Sequence, residues 1–149
     1  MEDFKSYYAL HCADETRPYS GILPLLSQLK EWGVATAVLS NKADFAVKTL
    51  AKEYFDGLLM EAVGEDEGVG VRRKPAPDGL LAVMRALGSK KEETLYVGDS
   101  EVDIQTANNA GVPCLCVTWG FRDREFLQSH GGTSFVDRAE EILLYAVKN

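Results

Sequence analysis

The residues of this chain whose types and spacing could do chemistry are two aspartates, one lysine and a serine–asparagine pair. In Gly98-Asp99-Ser100-Glu101-Val102-Asp103 an apolar run ends at one carboxylate, and a second follows four positions later, about one helical turn on. Two hard oxygen donors near one point suit Mg²⁺. The same residues also read as a plain helix start, with Asp99 or Ser100 as the cap and Asp103 in solvent. Gly98 favours the first reading, because a residue without Cβ lets a ligand or metal approach the backbone closely. Ser40 and Asn41 follow another apolar run, where hydroxyl, side-chain amide and backbone N–H groups can cradle a phosphate or simply cap a helix. Lys74 stands between Arg73 and Pro75. A residue before proline is biased to extended backbone, which sets the direction of its side chain. An ammonium so placed can neutralise phosphate charge as it builds in a transition state, although a loop lysine more commonly faces water.

Elements that alternate in period must position these residues. A helix is expected over about Asp3 to Cys12, and a second with the stripe Ile22, Leu25, Leu26, Leu29 and Trp32, capped by Ser20 and ended by Gly33. Strands are expected at Val34 to Leu39, Leu58 to Val63, Thr94 to Val97 and Cys114 to Val117, with a short extended piece at Ser134 to Val136. Between them fall helices starting near Phe45, at Asp78 to Leu87 and at Val102 to Ala110, then a helical turn at Arg124 to Gln128 and a last helix from Ala139 to Val147. Strands alternating with crossover helices predict an α/β fold with a parallel sheet covered on both faces. Ligands bind at the carboxyl ends of strands in such sheets. All three polar clusters follow predicted strands, so one rim can collect them.

A chain of 149 residues, 46% of them hydrophobic, suffices for one domain core and is short for two. The net charge of −7 leaves no basic surface for a phosphate backbone, so nucleic acid is not an expected partner. No apolar run is long enough to span a membrane and the start lacks a basic signal-peptide region, so the expected setting is cytoplasmic with no membrane partner. Cys12, Cys114 and Cys116 have no zinc-ligand spacing, and the last two share one strand face, which suits buried small hydrophobes. His11 and His130 lie at no predicted strand tip and receive no role.

The order strand-Ser-Asn, loop Lys-Pro-x-Pro, strand-Gly-Asp-x-x-x-Asp resembles the second, third and fourth motifs of the haloacid dehalogenase superfamily. Arg17-Pro18-Tyr19-Ser20-Gly21-Ile22, Ala110-Gly111-Val112-Pro113 and Val117-Thr118-Trp119-Gly120-Phe121-Arg122 are similar to phosphoglycolate phosphatases. The resemblance implies a Rossmann-like three-layer core over residues 17 to 149, preceded over 1 to 16 by a remnant of a helical cap. It implies that Ser40 and Asn41 bind the transferring phosphoryl group. Lys74 would serve catalysis and phosphate binding, and Asp99 would ligate Mg²⁺ with Asp103 assisting. The substrate would be a small phosphorylated metabolite, phosphoglycolate by similarity, with a sugar phosphate, nucleotide or pyrophosphate as alternatives within the superfamily. Trp119 and Phe121 also read as plain packing near a strand end.

That family uses an aspartate nucleophile on its first, central strand and a second aspartate two residues on as general acid and base. Here no apolar strand precedes an Asp-x-Asp-Gly motif, and Asp66-Glu67-Gly68 reads as a solvated turn. The expectation is therefore a core lacking its central strand, weak Mg²⁺ binding and negligible phosphatase activity. A non-catalytic phosphate-binding or regulatory protein is the competing reading. A gap in the sheet would expose two unpaired edges. Either the flanking strands pair directly, or the first segment fills the slot, or another chain, such as a second copy, covers it.

Overall fold

The computed structural model describes residues 5–8, 21–55, 57–66, 71–72 and 74–146. Its strands are β1 (Lys5–Tyr8), β2 (Thr36–Ala43), β3 (Glu61–Glu65), β4 (Thr94–Gly98), β5 (Cys114–Val117) and β6 (Phe135–Val136). The helices between them are α1 (Ile22–Glu31), α2 (Asp44–Phe55), α3 (Asp78–Leu87), α4 (Glu101–Ala110), α5 (Arg124–Ser129) and α6 (Leu143–Ala146). Among the described residues, no helix is long and apolar enough to cross a membrane.

The strands form one sheet in the order β3-β2-β1-β4-β5-β6, every neighbouring pair parallel. The first segment thus fills the slot between β2 and β4, as one of the three expected solutions proposed. Residues 5–8 correct the helix expected over Asp3 to Cys12: they are extended, in register with Thr36–Val38 on one side and Thr94–Val97 on the other. The reason is tertiary. Two flanking strands present rows of backbone donors and acceptors that need partners, and a short segment carrying Tyr7 and Tyr8 suits a strand as well as a helix. The rest of the proposed cap remnant, with His11 and Cys12, and the Arg17-Pro18-Tyr19-Ser20 stretch of the expected core lie outside the described residues.

Period-2 alternation divides the strands between two cores. Val38, Leu95, Val97, Leu115 and Val117 join Ile22, Leu25, Leu26 and Leu29 of α1 and Val47 and Phe55 of α2 on one face. Ala37, Leu39 and Tyr96 join Leu80, Val83 and Met84 of α3 and Ala107 and Ala110 of α4 on the other. Three layers result, and α5 adds Leu127 to a satellite cluster with Ile104 and Cys116. Cys116 is buried and Cys114 half-buried, both as free thiols, in keeping with a packing role.

Two boundaries differ from the sequence reading in ways that matter to the rim. β2 does not stop at Leu39 but continues through Ser40-Asn41-Lys42 to Ala43, with a register irregularity between Leu39 and Ala43. Such a bulge re-aims side chains at a strand end. The cap position of α1 is Gly21, not Ser20, while Gly33 follows its end as expected.

Candidate functional site

Register brings the polar clusters to one edge. Tyr8 of β1 is level with both Val38 and Val97, so Ser40 and Asp99 each lie two residues beyond the same level. Their strands are separated by β1 alone, about 10 Å at ordinary strand spacing. Ser40 is 8% exposed and Asp99 2%. The carboxyl edge of the sheet therefore holds both.

Asp103 is the hub of this edge. It lies in the first turn of α4 and is fully buried. Its Oδ1 accepts hydrogen bonds from Lys74 Nζ at 2.7 Å and from the Tyr96 hydroxyl at 3.1 Å. Its Oδ2 accepts from the Asp99 backbone N–H at 2.9 Å and the Ser100 hydroxyl at 3.2 Å. Burial, reinforced by the negative Asp103, pushes the Tyr96 phenol well above its ordinary pKa, so Tyr96 stays a donor. Ser100 does cap α4, its Oγ facing the Asp103 N–H. The capping reading thus holds for Ser100, but Asp103 is not in solvent. A Cβ at Gly98 would sit 2.3 Å from Asp103 Cβ, so this side chain is what comes close to the backbone there.

Lys74 does not face water. Its side chain is 7% exposed and ion-paired with Asp103. The turn that carries it is tied at three places. Asn41 Oδ1 accepts the Lys74 backbone N–H at 2.6 Å and Asn41 Nδ2 donates to the Lys74 carbonyl at 3.4 Å. Asn109 Nδ2 donates to the Pro75 carbonyl at 2.9 Å. Arg72 grips Asp78 through Nε at 2.7 Å and a second guanidinium nitrogen at 2.9 Å, closing the turn at its base.

The Arg72 side-chain hydrogen bonds, followed by its backbone N–H, hold the Asp78 carboxyl at about 2, below the ordinary 3.8. A depressed carboxylate stabilises the fold above its unfolded pKa and loses that contribution as pH falls through the folded one. Wild-type stability is therefore expected to fall more steeply than that of Asp78→Asn between pH 3.8 and about 2. Parallel acid titrations followed by circular dichroism check this, and superimposable curves would count against the clamp.

A loop after β5 wraps Asp99. Phe121 N–H donates to Asp99 Oδ2 at 3.1 Å, and Arg122 N–H to the Asp99 carbonyl at 3.1 Å. A Cβ on Gly120 would lie 2.3 Å from Asp99 Oδ2. Arg122 also pairs with Glu101 through two bonds, at 3.1 and 3.3 Å, and this hydrogen bonding lowers the Glu101 pKa. Its guanidinium lies 4.4 Å from the Phe121 ring centre and 4.3 Å from that of Phe126. Sequence reading singled out Trp119 to Arg122 only by likeness. Trp119 packs against the core beside α1, as expected of a strand-end aromatic, whereas Phe121 is exposed. His130 stacks on Phe126 on the exposed surface of α5 and takes no part. Tyr96 and Asn109 were missed, and the only signal for Tyr96 was a polar atom on an otherwise apolar strand.

As to a metal, the described residues contain no group of three or more His, Cys, Asp or Glu side chains arranged to hold one. The Asp103 carboxylate is committed to the protein by the four hydrogen bonds it accepts. These residues do not complete a Mg²⁺ site by themselves.

Comparison with known proteins agrees with this geometry. A model of the haloacid dehalogenase-like hydrolases matches residues 2–111. Phosphoglycolate phosphatase 1 of Pseudomonas aeruginosa is 32% identical over 144 residues, covering 96% of this chain and 50% of its own length. Pyrophosphatase PpaX of Halalkalibacterium halodurans is 32% identical over 130 residues, covering 84% of this chain and 58% of its own. A crystal structure from Lactobacillus delbrueckii subsp. bulgaricus, provisionally named a phosphoglycolate phosphatase, is 44% identical and superimposes with a TM-score of 0.84 over 89% of this chain and 54% of that one. The chain thus spans about half the length of these relatives. Motif order, sheet and match to the family model together make this chain a member of the haloacid dehalogenase-like hydrolase family.

Proposed function

We propose that this chain carries the phosphate-holding edge of a phosphomonoester hydrolase site. One observation supports it above the others: a buried lysine ammonium is held 2.7 Å from a carboxylate whose other oxygen anchors the Asp99 backbone. On this reading the ammonium is the fixed cation that neutralises charge on a phosphoryl group held at this edge. Ser40 contributes a hydroxyl to the group, Asn41 completes that side of the rim and Lys74 contributes the charge. Asp99 is the carboxylate toward a Mg²⁺ ion, and Asp103 assists by orienting it. Further ligands would have to come from outside the described residues.

The substrate on this reading is a small phosphorylated metabolite, with phosphoglycolate favoured by the name of the Pseudomonas relative. The PpaX relative favours pyrophosphate as the second reading. Covalent transfer needs a carboxylate nucleophile, and no Asp-x-Asp-Gly follows an apolar strand in these 149 residues. They are expected to bind phosphate without turning it over.

The test is an assay of p-nitrophenyl phosphate, phosphoglycolate and pyrophosphate hydrolysis with Mg²⁺, beside calorimetric titration of inorganic phosphate. Expected are no turnover above the Asp99→Asn variant, and phosphate binding that Lys74→Met weakens. Turnover that Asp99→Asn abolishes would overturn the inactive reading, and phosphate affinity indifferent to Lys74 would overturn the site itself.

A further inference from the structure

Asn41 invites assignment to the phosphate, since it follows Ser40 at the mouth of β2. Its bonds say otherwise. The carboxamide meets both backbone groups of a single residue, Lys74, which lies 33 positions away in sequence. The short bond, 2.6 Å from the Lys74 N–H to Oδ1, also fixes which way the amide faces, because an N–H cannot point at an NH₂ group. A side chain so engaged has one Nδ2 hydrogen left over, whereas its link to the lysine backbone is bidentate.

The turn is held from the opposite side as well. Asn109, near the end of α4, donates to the carbonyl of Pro75, the next residue. Asp103, near the start of the same helix, takes the lysine ammonium. Lys74 is therefore fixed at its N–H and carbonyl by β2, and at its ammonium and the following carbonyl by α4. The chemistry explains the need. A lysine side chain has four rotatable bonds and loses rotamer freedom when held, so a mobile backbone beneath it would blur the position of its charge.

We propose that Asn41 and Asn109 are positioning residues that clamp the Lys74–Pro75 turn between β2 and α4, and that Asn41 serves the phosphate site through Lys74 and not by its own contact. The proposal rests on the phosphate-site reading for its purpose, but its structural content can be tested apart from it.

The experiment uses the full chain with Asn41→Ala, Asn41→Asp, Asn109→Ala, Lys74→Met and the Asn41→Ala/Lys74→Met pair. Competitive acylation of lysine amines, quantified by mass spectrometry, reports whether the Lys74 ammonium stays sequestered, with the exposed Lys48 as internal reference. Loss of one net hydrogen bond is expected to raise Lys74 labelling about tenfold in Asn41→Ala, with Lys48 unchanged. Asn109→Ala should give a smaller rise, because its bond is open to water. Asn41→Asp keeps the acceptor for the Lys74 N–H and should restore most of the protection, which a general loss of stability would not show. In calorimetric titration with inorganic phosphate, Asn41→Ala should weaken binding in the wild-type background and have no further effect once Lys74 is methionine.

Unchanged Lys74 labelling in Asn41→Ala would overturn the clamp. Affinity losses that add in the double variant would show that Asn41 touches the phosphate itself, which also overturns it. A wild-type chain that binds no phosphate would defeat the phosphate-site reading, while the labelling result would still decide the clamp.

Discussion

Asp103→Asn is expected to destabilise the folded chain by about 3–5 kcal/mol, the range seen when one partner of a buried ion pair is removed. The substitution preserves shape and changes only charge and one acceptor. Asp103 accepts from two donors on each oxygen, so an amide NH₂ must face a donor pair whichever way it turns. Lys74, with a side chain 7% exposed, loses its anionic partner at the same time. By contrast the Arg124–Asp137 pair, with exposures of 46% and 62%, belongs to the solvent-screened surface class that contributes little. Equilibrium urea unfolding measures the difference directly. Adding Lys74→Met to Asp103→Asn should recover part of the loss, since a buried pair removed together costs less than one charge left alone. A single-variant loss below about 1 kcal/mol would mean that water reaches the pair, and the hub would then not be a buried one.

Gly98→Ala is expected to be comparably harmful, for a steric reason. The new Cβ would stand 2.3 Å from Asp103 Cβ, 2.5 Å from Cγ and 2.6 Å from Oδ2. Nothing there yields easily: Gly98 belongs to a strand paired with β5, and Asp103 is pinned by four hydrogen bonds. Overpacking of a tight site costs about 1–3 kcal/mol and more where backbone must move, and here relief also means breaking part of the hub. Thermal unfolding by circular dichroism should show a large drop in midpoint for Gly98→Ala. A shift within the error of the wild type would disprove the close approach. Gly120→Ala meets Asp99 Oδ2 at the same distance, but in a loop and not in a paired strand. Its cost to stability should be smaller, and the Phe121 N–H bond to Asp99 is what it breaks.

Much of the frame was legible in the linear chain. The stripe of α1 from Ile22 to Leu29, the terminal glycine after it and the apolar runs of β4 and β5 each follow from relations between residues two to four apart, which is the scale on which strand and helix periodicity is written; Trp32, expected to continue that stripe, instead stands past the helix end and is 46% exposed. Asp99 and Asp103 were readable as a pair for the same reason, because they stand four residues apart across the junction of β4 and α4. Less legible was Lys5–Tyr8. Four residues show too little of either period to decide between helix and strand, and the helix expected there gave way to the need of β2 and β4 for backbone partners. The partner of the Asn41 side chain was hidden on similar grounds: sequence showed its neighbour Ser40 but not the turn 33 residues on that it bonds.

Sequence alone determined the α/β class and the order of the three polar clusters along the chain, because these depend on local periodicity and on residue chemistry. Only the tertiary structure decided which segment occupies the centre of the sheet. It also decided that Lys74 turns inward to Asp103, that Asp103 serves the protein's own donors, and that the side chain crowding Gly98 is an aspartate. Those outcomes depend on groups brought together across tens of residues, where burial leaves each donor to find whichever acceptor the packed layers put within reach.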